Sequence, residues 1–555
     1  MKTPIFFCLT LAVCRLYAQD TSLFRHLPPD ASSIYQFNLP VLTAKLSWQE
    51  LSGRIPLPQP NTNNRELAAI LREPERAGVD LQRSFYLTET DGTGRDTLHT
   101  LSLLVHLADS ARWSAFLREQ DPGIRLSVDK GGACCARRER MGAAWDSSLA
   151  VLTFVRADRA AAAVRHCLDM LRGYTDEGMG RDSLFRTAFA DDADIHVWTR
   201  YGRLSGLLFR QLFHSEHTPS LPLLGEVGLR TVTEARFSRG RISIKSVTDV
   251  PRCLDSLYLR FTTRRTSANL LSSIPAGNIL AVFDFHFEPA AIAGLLEGFQ
   301  SRGRTEALLF DKGLSVETFV HAFKGDVLML AISPPVLPPD TMAVHTTVSF
   351  ATPRPSLYVV TGLRDETAFW SWTSRLKWLL PPADASGAGR VGVRNPLNKY
   401  LPAYIVRDSL LVMSTGPKRA SAWWTPGGGI AATGMGAAGG GQGIRGAEIL
   451  GEGQSVVSAG QSVGGARQSI GGAVQSVVDA ESPLSLWLDL KAIAASLQQR
   501  SPEKNRGLLS ILKAFDQFSF TAGRLNAAGQ LENRLEVTMV DTSANSLRTL
   551  FDLLQ

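Results

Sequence analysis

Pro483-Leu484-Ser485-Leu486-Trp487-Leu488-Asp489, running into Leu490 to Leu497, is one of three strand-to-helix phrases of the same design in this chain. Pro29-Asp30 leads into Ile34-Tyr35-Gln36-Phe37-Asn38 and then Leu39 to Leu46. Pro275-Ala276-Gly277 leads into Leu280-Ala281-Val282-Phe283-Asp284 and then Ile292 to Leu296. In each, a Pro-bounded apolar strand ends on Asn or Asp and gives way to a helical pattern. Internal repetition decides a fold more firmly than any single residue.

The order of elements around these phrases also recurs. Leu101 to Leu107 reads as a strand, Asp109 or Ser110 as a cap, and Trp113, Phe116 and Leu117 as the buried stripe of a helix. Asp146-Ser147-Ser148 then turns into the strand Leu149 to Val155, followed by a helix from Ala160 to Leu171. Further on, Leu357 to Val360 is a strand, Asp365 a cap, and Phe369, Trp372, Leu376 and Leu379 a stripe. Tyr404 to Val406 turns at Arg407-Asp408 into Leu410 to Met413. Each series closes on a long period-two hairpin, one around Arg239-Gly240 and one around Ala528-Gly529. A last helix, carrying Leu547, Leu550, Phe551 and Leu554, follows the capping candidate Ser543.

The expected fold class is therefore α+β with an internal duplication: two similar halves, each a mostly antiparallel sheet with packed helices. The first half spans residues 19–266, and the second spans 267–425 and 481–555. Residues 426–480 break the pattern. Glycine fills 17 of the 46 positions from Gly427 to Gly472, which opposes a packed core. Four heptads follow one another from Gly453 to Ala480, with Gln, Ser, Val or Ile, and Ala at fixed places. Glycines inside that register disfavour helix by about 1 kcal/mol each. The segment reads as a flexible Gly-rich insertion. The alternative is a small-residue docking helix over 453–480 that makes the protein a surface scaffold.

Length and composition set the frame. At 555 residues with 44% hydrophobic and 20% charged residues, the chain can build sizeable globular cores. Lys2, the apolar run Ile5 to Val13 and Leu16-Tyr17-Ala18 read as a signal peptide over residues 1–18, cut before Gln19. Leu11-Ala12-Val13-Cys14 partly matches a lipobox, which makes lipid anchoring at Cys14 the alternative. No later run approaches the ~18 uninterrupted apolar residues of a membrane helix, so no transmembrane span is expected in the mature chain. That chain carries 57 basic and 52 acidic residues, a mild +5. Its largest basic cluster, Arg137-Arg138-Glu139-Arg140, includes an acid, so nucleic-acid binding is not expected.

Four cysteines remain after processing: Cys134, Cys135, Cys167 and Cys253. Neither a CxxC pair nor zinc-type spacing occurs, and the pairing of these cysteines is left open.

Asp284-Phe285-His286-Phe287-Glu288 is the strongest candidate for chemistry. Period two places Asp284, His286 and Glu288 on one strand face, where they could bind a metal or move protons. Aligning Asp284 with Asn38 and Asp489, however, makes it a helix cap rather than a catalytic group. His214-Ser215-Glu216-His217 lacks the HExxH order. Asp191-Asp192-Ala193-Asp194 lacks the glycine and distal glutamate of a calcium loop. No nucleophile elbow or phosphate loop is present, and no cofactor is implied. Trp370 and Trp378 exceed what one helix stripe needs: they read as packing against the other half, with an exposed partner surface for a glycan or protein as the alternative.

Three short phrases carry a family resemblance. They are Pro28-Pro29-Asp30-Ala31-Ser32-Ser33-Ile34, Leu42-Thr43-Ala44-Lys45-Leu46 and Ala193-Asp194-Ile195-His196-Val197-Trp198. Together with the export signal they resemble an uncharacterised family of exported, often lipid-anchored Bacteroidetes proteins, a domain of unknown function covering most of the mature chain. The resemblance implies the cell envelope, periplasmic or outer-membrane associated, and brings no functional residues. The lipobox and the Gly-rich insertion depart from the family pattern. The expected function is a non-enzymatic binding or structural protein of the envelope, whose partner is an envelope protein or glycan. A periplasmic hydrolase or metal-dependent enzyme using Asp284, His286 and Glu288 is the alternative.

Overall fold

The computed structural model describes residues 21–54, 65–90, 100–138, 140–155, 159–174, 178–201, 229–249, 278–298, 302–310, 313–333, 355–375, 388–390, 401, 403–415, 482–500, 503 and 505–554. The chain divides into two compact units, Met1–Tyr258 with Gly507–Gln555, and Leu259–Arg506.

The strands of the first unit begin with β1 Ser33–Phe37, β2 Phe85–Thr90, β3 Thr100–His106, β4 Arg125–Val128 and β5 Cys134–Arg138. They continue with β6 Met141–Trp145, β7 Leu149–Val155, β8 Ile195–Tyr201, β9 Leu229–Ser238 and β10 Arg241–Asp249. The second unit holds β11 Asn278–His286, β12 Phe323–Ser333, β13 Ser356–Leu363, β14 Ala388–Arg390, β15 Ala403–Arg407, β16 Leu410–Ser414 and β17 Leu484–Asp489. The terminal hairpin β18 Phe515–Leu525 and β19 Leu531–Met539 returns to the first unit.

Every described pairing is antiparallel. The first unit runs β4-β5-β6-β7-β3-β2-β1-β8-β9-β10-β19-β18. The second runs β14-β15-β16-β13-β12-β11-β17. The protein is thus α+β and rich in sheet.

Alternation along the strands divides the first unit's core into two layers. Leu104, Val151, Tyr86, Ile34 and Trp198 turn to one face, where Met170 and Leu171 of the helix Ala160–Arg172 and Phe185 of the helix Ser183–Ala188 cover them. Leu103, Val105, Leu152 and Phe85 turn to the other, beneath Ile70 and the stripe Trp113, Phe116 and Leu117 of the helix Ser110–Gln120. With both faces covered, β7 is buried along its whole length, and its one polar side chain, Thr153, hydrogen-bonds the Ser102 hydroxyl at 2.8 Å. Asp109 caps the helix at Ser110 by accepting from the N–H groups of Ala111 and Arg112, at 2.9 and 3.0 Å.

The second unit divides in the same manner. Val282, Leu328, Leu330, Tyr358, Val360 and Val412 share one core. Leu363, Tyr404, Val406, Leu411 and Met413 form another with Phe369 of the helix Glu366–Arg375. Asp365 accepts from Ala368 N–H at 3.0 Å and caps that helix. The β15–β16 turn holds Asp408 and Ser409 at φ 53 and 58, the left-handed pair that a two-residue hairpin needs.

The last helix, Ser546–Leu554, packs Leu547, Leu550 and Phe551 against Phe237, Ile242 and Met539. Its cap is Asn545, whose Oδ1 accepts from Leu547 and Arg548, and not the expected Ser543. Ser543 instead closes a tight turn onto Asp541. Gly240, at φ 64, lets the β9–β10 turn approach this segment, since a Cβ there would lie 2.4 Å from Thr542 Cα.

Candidate functional site

On β11, period two sends Val282, Asp284 and His286 to the buried face and leaves Ala281, Phe283 and Phe285 half-buried on the other. Asp284 and His286 are both fully buried, with His286 Nδ1 4.0 Å from Asp284 Oδ2. Asp284 stands opposite Leu328 on β12 and Ser485 on β17. His286 stands opposite Asp326, itself only 5% exposed. The His286 N–H donates to the Pro483 carbonyl at 2.9 Å, where β17 begins. Burial pushes the His286 imidazole down to about 4, because the charged form is penalised away from water. The ring is therefore neutral at pH 7.

Glu288 does not join this pair. It is half-buried beyond the strand end and meets Arg364 at 3.3 Å. Asp284 does not cap a helix either, which corrects the alignment drawn from the sequence. The helix Ala290–Gly298 starts six residues later, and the Glu288 carbonyl receives the Ala291 N–H. Asp489 is a true cap, accepting from Ala492 N–H at 2.7 Å. Asn38 precedes the helix Leu39–Thr43 but donates through Nδ2 to the Ala193 carbonyl instead of capping. The physical reason is that β11 is held by β12 and β17 on its two sides, so it stays extended through His286. Asp326 lies on Phe323–Ser333, a strand outside the repeated strand-to-helix phrases. The alternation of Leu328, Leu330 and Ile332 carries the signal, and Asp326 lies on the same parity.

The first unit presents the same backbone crossing with different side chains. Asn38 N–H donates to the Asp194 carbonyl at 3.0 Å, just before β8 begins. Gln36, two residues earlier, donates through Nε2 to the Tyr86 hydroxyl at 3.0 Å. His196 lies across from Gln36, fully buried and stacked on Phe189 at 5.0 Å between ring centroids. Burial pushes its imidazole down to about 4 as well. Glu234 faces His196 from β9, with its carboxyl held above the usual range by burial.

Two of the phrases behind the family resemblance meet here. Lys45 Nζ lies 2.6 Å from both carboxylate oxygens of Asp194, which is 1% exposed and also accepts from Phe237 N–H at 2.7 Å. Asp191 and Asp192 pair with Arg236. The acidic run 191–194 is thus engaged in ion pairs.

Among the remaining candidates, Cys134, Cys135 and Cys167 are free thiols. Cys167 donates to Thr153 Oγ1 at 3.1 Å within the core. Trp370 packs on its own unit's core, edge-on to Phe369 at 5.1 Å. Trp378, Cys14, Cys253, His214 to His217 and residues 453–480 lie outside the described residues. A small pocket lined by Leu39, Trp48, Ile70, Val79, Phe85 and Leu103 is wholly apolar. Among the described residues, no three His, Cys, Asp or Glu side chains are grouped to hold a metal ion, and no helix is long and apolar enough to cross a membrane.

No family model matches the chain, and no curated protein matches it. Among solved structures, it is similar to crystal form III of TP0453, with 10% identity over 44% of this chain and 88% of that one, at a TM-score of 0.27. Crystal form I of TP0453 gives 10% identity over 44% and 86%, at 0.25.

Proposed function

We propose that this is an exported protein of the cell envelope that acts by binding or as a structural element rather than by catalysis, and that it is built by internal duplication. One observation carries the non-enzymatic reading: the best-suited acid–base residues, Asp284 and His286, are enclosed in the sheet, while Glu288 is engaged with Arg364. An active site needs its reacting groups within reach of substrate.

The duplication reading rests on matched backbone contacts. Leu107 N–H donates to the Ser148 carbonyl and Leu363 N–H to that of Ser409. Ala108 N–H donates to the Gly78 carbonyl and Arg364 N–H to that of Ala322. The order β5-β6-β7-β3-β2-β1-β8 corresponds strand for strand to β14-β15-β16-β13-β12-β11-β17. Trp198 and Trp487 occupy the same place, opposite Ile34 and Val282. The two halves would then meet at an antiparallel join of their closing hairpins, through β10 and β19.

Export rests on the character of residues 2–18, and envelope residence on the family resemblance. Fractionation of the full chain and of a variant lacking residues 2–18 tests both, with N-terminal sequencing of the mature form. Full-length protein in the envelope beginning at Gln19, with the truncated form in the cytoplasm, is the expected result. A mature form beginning at a lipid-modified Cys14 would place it on the membrane instead.

A further inference from the structure

β4, Arg125–Val128, ends one side of the first unit's sheet: among the described residues only β5 pairs with it. The hairpin fixes which of its backbone groups face inward. Asp129 N–H donates to the Ala133 carbonyl at 2.9 Å, and Gly132 N–H donates to the Asp129 carbonyl at 3.1 Å to close the turn. Hydrogen-bonded pairs alternate along an antiparallel ladder. Ser127 with Cys135 and Arg125 with Arg137 are therefore the bonded pairs. Leu126 and Val128 point their N–H and C=O groups away from β5.

The side chains of this edge divide between two faces. Leu126 packs against the core beneath the helix Ser110–Gln120, whereas Val128, on the same face, is 67% exposed. Arg125, Ser127 and Asp129 share the other face. Arg125 stands directly across from Arg137; both are exposed, and among the described residues neither meets a carboxylate. Like charges placed opposite one another disfavour a ladder. The Asp129 carboxylate accepts from Gly131 and Ala133 N–H and pairs with Arg172. A charge such as Arg125 ordinarily guards an edge against chance pairing. The run Arg125-Leu126-Ser127-Val128-Asp129, however, is its own complement when reversed: basic faces acidic, apolar faces apolar, and serine faces serine.

We propose that β4 pairs antiparallel with β4 of a second copy of this chain, about a twofold axis at Ser127. That register sets Leu126 opposite Val128 of the second copy. These are the residues whose backbone groups point outward, so each such pair exchanges both of its N–H···O=C bonds. Val128 gains an apolar neighbour on one face. On the other, Arg125 meets Asp129 of the second copy, which offsets its opposition to Arg137. Registers shifted by one residue mismatch the outward groups, and those shifted by two lose the Arg125–Asp129 contact. Interfaces below about 1,200 Å² are characteristically transient, so a reversible monomer–dimer equilibrium is expected. The pairing depends neither on export nor on a foreign partner.

Sedimentation velocity of the full chain from low micromolar to submillimolar concentration is expected to show that equilibrium. Val128→Pro deletes an outward donor and leaves the β4–β5 bonds in place. It is expected to weaken the dimer about tenfold or more, with the melting of the dilute chain unchanged. Should it not fold, Val128→Lys, at an exposed position, is expected to weaken the dimer likewise. Ser127→Cys in a Cys134→Ser background reads the register, since Cα atoms about 4.5 Å apart at the axis lie within disulfide reach. Mild oxidation is expected to link these chains much faster than Lys130→Cys chains in the same background. A chain that stays monomeric at submillimolar concentration overturns the proposal. So does a dimer that the Val128 variants leave intact, or one that links no faster through position 127 than through position 130.

Discussion

Between β1 and β8 the first unit encloses Gln36, Asn38 and His196, whereas between β11 and β17 the second encloses Asp284, His286 and Ser485. At both crossings the strands pair antiparallel and the next N–H closes onto the residue before the partner strand, so this geometry does not dictate which polar groups occupy it. It dictates only that they be hydrogen-bonded or neutral, because an isolated buried charge is too costly. The first unit meets that demand with amides and with a carboxylate, Asp194, clamped by Lys45. The second has Pro483 in the place of Asp194, a residue with no side-chain acceptor.

The largest expected effect breaks that difference directly. Asp194→Ala leaves Lys45 without its carboxylate and Phe237 N–H without its acceptor, and should destabilise the first unit by roughly 3–5 kcal/mol. Denaturant unfolding monitored by hydrogen exchange of each unit checks this, and the second unit should be unaffected.

Acid comes next. Both His196 and His286 have folded values near 4, below the ordinary 6.5. The unfolded chain therefore binds more protons between those values. Stability is full above about pH 6.5 and falls as the pH is lowered toward 4, by about 3 kcal/mol for each ring. Chemical denaturation across pH 4–7 should show this slope, and His196→Ser should remove the first unit's share.

A smaller change sharpens the comparison from the other side. Gln36→Glu introduces a carboxyl into the amide site beside Tyr86 and should lower stability at pH 7 by about 2 kcal/mol, with partial recovery in acid as the carboxyl is neutralised. Thermal melts at pH 5 and pH 7, each read as the difference from the wild type at the same pH, report it. The smallest effect concerns the matched caps: Asp109→Ala and Asp365→Ala should each cost about 1 kcal/mol. Markedly unequal losses in equilibrium unfolding would weaken the equivalence of the two helices.

Much of the framework was legible in the residues. The caps Asp109 and Asp365, the turn at Arg407-Asp408 and both closing hairpins follow from short-range chemistry that the local sequence states. The candidate site was only half legible. Period two correctly grouped Asp284 with His286, yet the same rule extended to Glu288 failed, because the strand ends at His286. Asp326 entered the cluster through a neighbouring strand some forty residues away along the chain. Lys45 and Asp194 stand in two separate phrases, and nothing in either phrase says that they touch.

By itself the sequence determined the α+β class and the helix caps at Asp109, Asp365 and Asp489, since those caps depend on neighbours two or three residues apart. Only the tertiary structure decided that β18 and β19 join the first unit, that Lys45 clamps Asp194, and that Asp326 faces His286. Those contacts are made by strand pairing across long separations, and register, not local propensity, selects which side chains meet.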